Sequence, residues 1–135
     1  KNFIPAISVE GFEEATDGRR GEGTYQKVVR AMRLLKQHGL PFGVSCCYTS
    51  ANADSIASEE FFDWMIGQGV LFAWIFTYMP VGVDAPVELM VPADQRERLY
   101  RFVREMRSKK PLFTLDFQND GEFVGGCIAG GRRYL

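Results

Sequence analysis

The sequence predicts an α/β fold in which parallel strands alternate with helices. Two observations support this prediction. Short apolar segments that suit strands alternate along the chain with longer segments whose apolar residues recur at helical spacing. The connections between successive strands are also long enough for right-handed parallel crossovers. The expected order of strand, helix, strand, helix, strand, helix and strand suits either a small open sheet or a section of a barrel.

The composition suits one hydrophobic core. The chain has 135 residues, of which 46% are apolar and eleven are Phe, so we expect a single domain or one piece of a larger one. The net charge of −1 gives no electrostatic reason to bind nucleic acid or an anionic membrane, which favours a small partner. Because the chain starts at Lys1 and ends inside an apparent strand, we expect an excised piece of a longer protein.

The cysteines indicate a reducing, cytoplasmic setting. There are three of them, Cys46 and Cys47 are adjacent, and no segment resembles a secretory signal. The longest uncharged segment, Gly69–Val83, is shorter than the roughly 18 residues that span a bilayer, and it contains Pro80. We interpret it as a buried strand rather than a membrane helix.

The first unit is a strand that ends in polar residues. The composition of Phe3–Val9 suits an extended segment, and alternation places Ser8 and Glu10 on one face of it. A polar, glycine-rich loop is expected over Asp17–Gly23, and Thr24 is a suitable N-cap for the helix that follows. The apolar positions of that helix and the glycine that ends it are Val28, Met32, Leu35 and Gly39.

The second unit repeats this pattern. A strand is expected over Pro41–Thr49, and a loop of turn-forming residues over Ser50–Ala57. Ser58 can cap the next helix, which is expected to end at Gly67 and Gly69. The inner face of this helix comprises Phe61, Phe62, Met65 and Ile66.

The third strand is the most hydrophobic segment of the chain. Val70–Met79 is apolar on both faces, which is typical of a parallel strand that is covered on both sides. The next helix starts with Pro92 at its first position, and its inner face comprises Leu99, Phe102, Val103 and Met106. A fourth strand over Leu112–Phe117 and a turn over Asn119–Gly121 follow.

Polar residues at the strand ends are the main candidates for a binding site. Ligands of parallel α/β folds bind at the carboxyl ends of the strands, where one rim would gather Ser8, Glu10, Tyr48, Thr49, Tyr78 and Met79. A hydroxyl and a carboxylate together suit a ribose diol or an amino group. The alternative is that Ser8 and Glu10 are solvated residues at a strand end, and spacing alone favours it.

Three other features have a structural alternative that the residues favour. The loop DGRRGEG could hold an anion with help from Arg19 or Arg20, but it lacks the full glycine patterns of nucleotide-binding loops and suits a flexible solvent loop. Cys46 and Cys47 point to opposite faces of a strand and suit the core. His38, in the last turn of a helix, suits a surface cap.

Cys127 lies between glycines in GGCIAGG. A thiol there could ligate a metal, but a lone cysteine cannot hold an iron–sulfur cluster, which needs several thiolates.

A series of motifs runs along the first two thirds of the chain in a fixed order. They are Ile7–Gly11, Asp17 with Arg20 and Gly21, Gly23–Tyr25, Leu35–Gly39, Phe42–Cys47, Asn52 and Tyr78–Gly82. By these motifs the chain resembles the middle and C-terminal part of a radical S-adenosylmethionine (radical SAM) enzyme. The segment GGCIAGGRRYL resembles the opening of the cysteine-rich, SPASM-like C-terminal extension that one group of these enzymes carries.

The resemblance implies a partial (β/α) TIM-type barrel over residues 1–122 and the start of the auxiliary-cluster extension over 123–135. Cys127 then becomes a ligand of an auxiliary iron–sulfur cluster. Contacts with S-adenosylmethionine are implied for Ser8, Glu10, Arg20, Tyr78, Met79 and Pro80. Ser8 matches the ribose-contacting position, Arg20 could meet the methionyl carboxylate, and the last three pack against adenine.

The implied reaction is that of an iron–sulfur oxidoreductase. A reduced [4Fe–4S] cluster cleaves S-adenosylmethionine to a 5′-deoxyadenosyl radical, which abstracts hydrogen from a small-molecule or peptide substrate; flavodoxin or ferredoxin is the type of electron donor. The CxxxCxxC loop that holds the cluster and the Gly-Gly-Glu strand are absent from this sequence. The cluster would therefore be held outside this chain, which has no catalytic residue of its own and is expected to be inactive alone.

Two other functions stay open. The chain could be a complete α/β module without a cluster that binds a nucleoside-like ligand at its strand ends. Thiol chemistry at the adjacent cysteines is less favoured, because CxxC spacing is missing.

If the chain is a piece, Phe3–Val9 is an exposed sheet edge, which favours an edge-strand dimer.

Overall fold

The computed structural model describes residues 3–121 and Gly125, and its core is one parallel sheet. The elements in chain order are β1 (Ala6–Ser8), α1 (Glu13–Arg20), α2 (Thr24–Gln37), β2 (Gly43–Tyr48), α3 (Ala53–Ile56), α4 (Glu59–Gln68), β3 (Phe72–Thr77), a 3₁₀ turn (Val87–Leu89), α5 (Ala93–Lys109) and β4 (Phe113–Asp116).

The sheet has the order β1-β2-β3-β4, and every neighbouring pair is parallel. Ser8 is in register with Ser45, and Ile75 is in register with Asp116. This confirms the predicted alternation of parallel strands and helices. Of the described strands, β1 and β4 form the edges of the sheet, so the first strand is an edge strand as expected, although it is shorter than Phe3–Val9.

One face of the sheet is buried against helices. Its strand residues are fully buried, for example Val44 and Cys46 on β2 and Ala73 and Ile75 on β3. The helices complete this core with Met32, Phe61, Phe62, Met65, Leu99, Val103 and Met106. Burying each large apolar side chain contributes roughly 1.5–3 kcal/mol, so this layer supplies most of the driving force for folding.

The opposite face is only half-buried in the described part of the chain. Phe72, Trp74 and Phe76 lie on it at intermediate exposure, beside Ser45 and Cys47. In the described part of the chain β3 is therefore fully covered on one face and half-covered on the other, which is less cover than expected. The reason is physical: aromatic rings can cover each other, and an alternating pattern does not distinguish this from cover by a second layer.

The ring contacts show this mutual cover directly. Phe76 stacks on Phe117 at 4.3 Å between centroids, and Trp74 meets the same ring edge-on at 6.0 Å. Phe72 lies 5.2 Å from Trp74. The rings shield one another from solvent at distances that suit aromatic pairs.

Helix ends follow the local sequence signals closely. Ser58 Oγ accepts a hydrogen bond from the Phe61 amide at 3.2 Å, which confirms the predicted N-cap. Gly39 and Gly69 have positive φ of 63° and 92° after α2 and α4, where such a conformation ends a helix. Gly67, in contrast, lies inside α4 and does not end it.

The largest difference from the sequence prediction concerns residues 13–20. The predicted loop is replaced in its first half by α1, which has Glu13 and Glu14 in the first turn and Arg19 and Arg20 in the last. These charges complement the helix dipole, and this signal was available in the sequence. Thr24 is the first residue of α2 rather than its N-cap.

No helix in residues 3–121 has the length and apolar character that a bilayer crossing requires.

Candidate functional site

A buried carboxylate stands at the carboxyl end of β1. The Glu10 side chain is 0% exposed, and both of its oxygens are hydrogen-bonded. Oε2 accepts from Arg19 Nη1 at 2.9 Å and from the Cys47 amide at 3.1 Å. Oε1 accepts from Arg20 through Nε at 2.8 Å and Nη2 at 2.5 Å. A ligand at this edge would meet the arginines before it met Glu10.

Asn52 ties the ends of β1 and β2 together. Its Nδ2 donates to the Glu10 carbonyl at 2.8 Å and to the Cys47 carbonyl at 3.2 Å. Its Oδ1 accepts from the Thr49 amide at 2.6 Å and from the Thr49 hydroxyl at 3.1 Å. We call Glu10, Arg19, Arg20, Cys47 and Asn52 the Glu10 cluster. All its buried polar atoms have partners, so it is a rigid part of the sheet edge.

The glycine-rich loop that could hold an anion is already occupied by a carboxylate of the chain itself. Asp17 accepts from the Gly23 amide at 2.8 Å and from the Tyr25 amide at 2.7 Å. Gly21 and Gly23 have φ of 96° and 73°, which allows the sharp turn from α1 into α2. The segment is thus a capped turn and not a flexible solvent loop.

Four of the residues predicted to contact S-adenosylmethionine lie at the ends of β1 and β3, with β2 between them. Ser8 is half-buried beside Ser45 on the open face, and among the described residues its hydroxyl has no hydrogen-bond partner. Beyond β3, the Tyr78 amide donates to the Tyr48 carbonyl at 2.9 Å, and the Met79 side chain is 61% exposed. Pro80 follows at intermediate exposure.

Arg20 and Glu10 are the other two predicted contacts, and Arg20 is only partly engaged. Its Nε and Nη2 are held by Glu10, its side chain is 35% exposed, and Nη1 has no partner in the described part of the chain. It can therefore offer one edge of its guanidinium to a ligand.

Sequence reasoning missed a second polar cluster at the ends of β2, β3 and β4. Tyr48 Oη accepts from Thr77 Oγ1 at 2.6 Å and from Asn119 Nδ2 at 3.0 Å. Asn119 Nδ2 also donates to Asp116 Oδ2 at 2.8 Å. We call Tyr48, Thr77, Asp116 and Asn119 the Asp116 cluster. It fixes the end of β3, where the segment Tyr78–Pro80 begins.

Asp116 carries an unpartnered oxygen in this cluster. The residue is 1% exposed, and its buried Oδ1 has no hydrogen-bond partner within residues 3–121. Burial raises the pKa of this carboxyl to about 6, an effect that the hydrogen bond from Asn119 only partly offsets. No local sequence signal points to it, because Asp116 stands where an alternating strand places a core residue.

The described residues include no group of three or more His, Cys, Asp and Glu side chains that could hold a metal ion. Cys46 and Cys47 face opposite sides of β2, and burial raises the pKa of the Cys46 thiol, which keeps it protonated. Cys46 is a core residue as predicted, whereas Cys47 is half-buried on the open face. Cys127 lies outside the described residues, so its role as a cluster ligand stays a prediction.

Solved structures with the same fold are radical SAM enzymes. The protein anSMEcpe with bound AdoMet aligns with a TM-score of 0.66 and 17% identity, over 93% of this chain and 36% of that one. Streptococcus suis SuiB bound to S-adenosylmethionine aligns with a TM-score of 0.62 and 15% identity, over 100% of this chain and 34% of that one. No protein-family model and no curated protein matches the chain.

This chain spans about a third of the length of those solved structures. Identities of 14–17% establish a shared fold rather than a shared activity. Four parallel strands alternating with helices therefore form a partial (β/α) TIM-type barrel, the fold that the chain shares with those structures.

Proposed function

We propose that this chain is the S-adenosylmethionine-facing part of a radical SAM iron–sulfur oxidoreductase. The observation that carries the proposal is the fold, which aligns over 93% of the chain with a structure described as holding AdoMet. The motif residues of the resemblance support it. Ser8 ends β1 and Tyr78–Pro80 follow β3, while Arg20 at the end of α1 reaches Glu10 just beyond β1. Ligands of this architecture bind at these carboxyl ends of the strands.

The side chains suit the parts of the cofactor as follows. Ser8 offers a hydroxyl without a partner among the described residues, which suits a ribose hydroxyl. Arg20 offers the unpaired edge of its guanidinium, which suits the methionyl carboxylate. Met79 and Tyr78 offer apolar surface for adenine. We assign Glu10 a positioning role, because its oxygens already hold both arginines.

When bound, S-adenosylmethionine supplies a 5′-deoxyadenosyl radical after its reductive cleavage. The described residues do not suit a [4Fe–4S] cluster, since Cys46 is buried in the core and Cys47 faces the opposite side of β2. We therefore assign the cluster to residues outside this chain and expect the chain alone to be inactive. An electron donor of the flavodoxin or ferredoxin type, a small-molecule or peptide substrate and a cytoplasmic setting belong to the same proposal.

A second candidate is a nucleoside-binding α/β module that works without a cluster. One observation favours it: in residues 3–121 the buried polar atoms of the Glu10 cluster all have partners within the chain, yet no group of three or more His, Cys, Asp and Glu side chains there could hold a metal. Such a module would bind its ligand without help from other segments.

Isothermal titration calorimetry separates the two candidates. S-adenosylmethionine and S-adenosylhomocysteine are titrated into this chain and into two variants, Ser8→Ala and the matched control Ser108→Ala on α5. Submicromolar binding that Ser8→Ala weakens would favour the independent module. Heats too weak to fit support the chain as one part of a larger site.

The coding sequence on both sides of these residues tests the first candidate. We expect a CxxxCxxC motif upstream and further cysteines downstream. An open reading frame that lacks both would contradict the assignment to a radical SAM enzyme.

A further inference from the structure

A cavity of about 710 Å³ lies apart from the residues assigned to S-adenosylmethionine. Its walls come from α1, from the β2–α3 loop with Asn52, from α3 and from the 3₁₀ turn, and none of the residues Ser8, Glu10, Arg20 and 78–80 lines it. The volume falls in the range of small-molecule sites. The sequence suggested an anion contact for Arg19, but it indicated no amino-acid site in this region.

Arg19 is the cation in the wall of this cavity. Its Nη1 donates to Glu10 Oε2 at 2.9 Å and to the Cys47 carbonyl at 3.4 Å, so the guanidinium is held in place by a fully buried carboxylate. Its Nε and Nη2 have no partner in residues 3–121, and the side chain is 38% exposed. A fixed guanidinium with one unused edge is suited to a carboxylate.

The charges behind Arg19 leave this edge electropositive. Glu10 carries one negative charge and is shared by Arg19 and Arg20, so the three side chains together carry a surplus of one positive charge. Desolvation lowers the pKa of Arg19, but the Cys47 side chain and the Glu10 carboxylate raise it by more, so the net shift is upward. The guanidinium therefore stays charged at any physiological pH.

A carboxylate stands elsewhere in the same wall. Glu14 lies on α1 one turn before Gly18, is exposed, and has no partner among the described side chains. An anion alone would be attracted by Arg19 and repelled by Glu14. A ligand that carries both an anionic and a cationic group satisfies both side chains.

The rest of the wall is small or apolar. Phe12 and Leu89 supply apolar surface, and a Cβ added at Gly18 would meet nothing within 4 Å, so the cavity extends to the backbone of α1. The wall thus combines a cation, an anion and an apolar surface. We propose that this cavity binds a small apolar amino acid through its carboxylate at Arg19 and its ammonium group at Glu14.

The α-amino-carboxylate group could come from a free amino acid or from the methionyl end of S-adenosylmethionine, and a ligand panel distinguishes these sources. L-leucine, leucinamide, N-acetyl-leucine and S-adenosylmethionine are titrated into the ¹⁵N-labelled chain, and amide shifts are followed by NMR. We expect saturable shifts at 14–19 and 51–55 with L-leucine. Leucinamide lacks the carboxylate and N-acetyl-leucine lacks the ammonium group, so each should bind at least tenfold more weakly.

Variants test the assignment of each wall residue. Glu14→Gln removes an exposed charge and should weaken L-leucine binding without affecting folding, whereas the matched control Glu22→Gln should not change binding. Gly18→Trp should block the cavity, and Gly18→Ala is its helix-compatible control. Arg19→Met should abolish binding, and its fold can be checked by circular dichroism.

Three results would overturn the proposal. They are no saturable shift with L-leucine, equal binding of leucinamide, and an affinity that Glu14→Gln and Gly18→Trp leave unchanged. Shifts at 14–19 and 51–55 with S-adenosylmethionine but not with L-leucine would return the cavity to the cofactor site. None of these outcomes affects the assignment of Ser8 and 78–80, so the two proposals fail independently.

Discussion

The two polar clusters at the carboxyl edge of the sheet differ in how many hydrogen bonds their buried carboxylates accept. Glu10 has both oxygens hydrogen-bonded, to two arginines and an amide. Asp116 is equally buried, but one of its oxygens has no partner in the described part of the chain. The comparison teaches that burial alone does not decide whether a carboxylate stabilises a fold; the number of donors that reach it does.

The largest effect is expected where the pairing is complete. Glu10→Ala removes the shared acceptor of Arg19 and Arg20 and leaves the Cys47 amide unpaired. Breaking a buried ion pair on one side costs about 3 kcal/mol, and the partial exposure of the arginines lowers rather than removes this cost. Urea unfolding measures the loss, with the exposed Glu22→Gln as control. A loss below about 1 kcal/mol would contradict the structural role of Glu10.

Asp116→Asn should act in the opposite direction. The pKa of Asp116 is about 6 in the folded protein, against 3.8 for an ordinary aspartate, a difference of about 2. At 1.36 kcal/mol per pKa unit, the charged form costs the fold up to about 3 kcal/mol at pH 7. The asparagine variant should therefore be the more stable protein at neutral pH, as chemical unfolding at pH 7.5 would show.

The pH dependence of the stability difference between the natural protein and Asp116→Asn tests the direction of this effect. Because the folded pKa is raised, the stabilising contribution of Asp116 is fully present below about pH 4 and is lost as the pH rises through about 6. The advantage of Asp116→Asn should accordingly shrink between pH 7 and pH 4. An advantage that does not change with pH would show that Asp116 is not charged at neutral pH.

Removal of the Tyr48 hydroxyl should have a smaller effect. Tyr48→Phe leaves Thr77 Oγ1 and part of Asn119 without their acceptor, which costs about 1–2 kcal/mol. Tyr25→Phe is the matched control, because Tyr25 contributes through stacking of its ring on Trp64. Thermal unfolding of both variants should separate them, and equal melting temperatures would mean that the Asp116 cluster adds nothing to stability.

The smallest expected effect concerns the helix that presents the arginines. Gly18 has an ordinary helical backbone and open space at its Cβ, so Gly18→Ala should stabilise α1 by about 1 kcal/mol. Gly21 has φ of 96°, so Gly21→Ala should destabilise the turn by a similar amount. Opposite signs in calorimetric melting confirm that α1 and its turn are as described, whereas two losses would contradict the helix.

The sequence predicted the sheet well because each strand is bounded by strong local signals. All four strands and the apolar helix faces were anticipated, with strand ends that differ by one to three residues. The inner positions Met32, Phe61, Leu99 and Val103 follow helical spacing, which depends only on nearby residues. A short strand ends where its hydrogen bonding to the neighbouring strand ends. The sequence of the strand alone does not contain this information.

The polar clusters were harder to predict because they depend on register. Glu10 and the Cys47 amide meet only because β1 and β2 pair in one alignment, and Arg19 reaches them only because residues 13–20 are helical. The same limit applies to Asp116, whose partners Tyr48 and Asn119 come from different connections. Only the resemblance gave Ser8 and Arg20 specific roles, and those roles stay predictions.

The most direct test of the central proposal is to map the S-adenosylmethionine contact on this chain by NMR. With millimolar S-adenosylmethionine added to the ¹⁵N-labelled protein, we expect amide shifts at 8–10, at Arg20 and at 78–79, and none near Ser108 on α5. Ser8→Ala should reduce the shifts at the end of β1. Shifts confined to other surfaces, or none at all at saturating ligand, would contradict the assignment of this sheet edge to the cofactor.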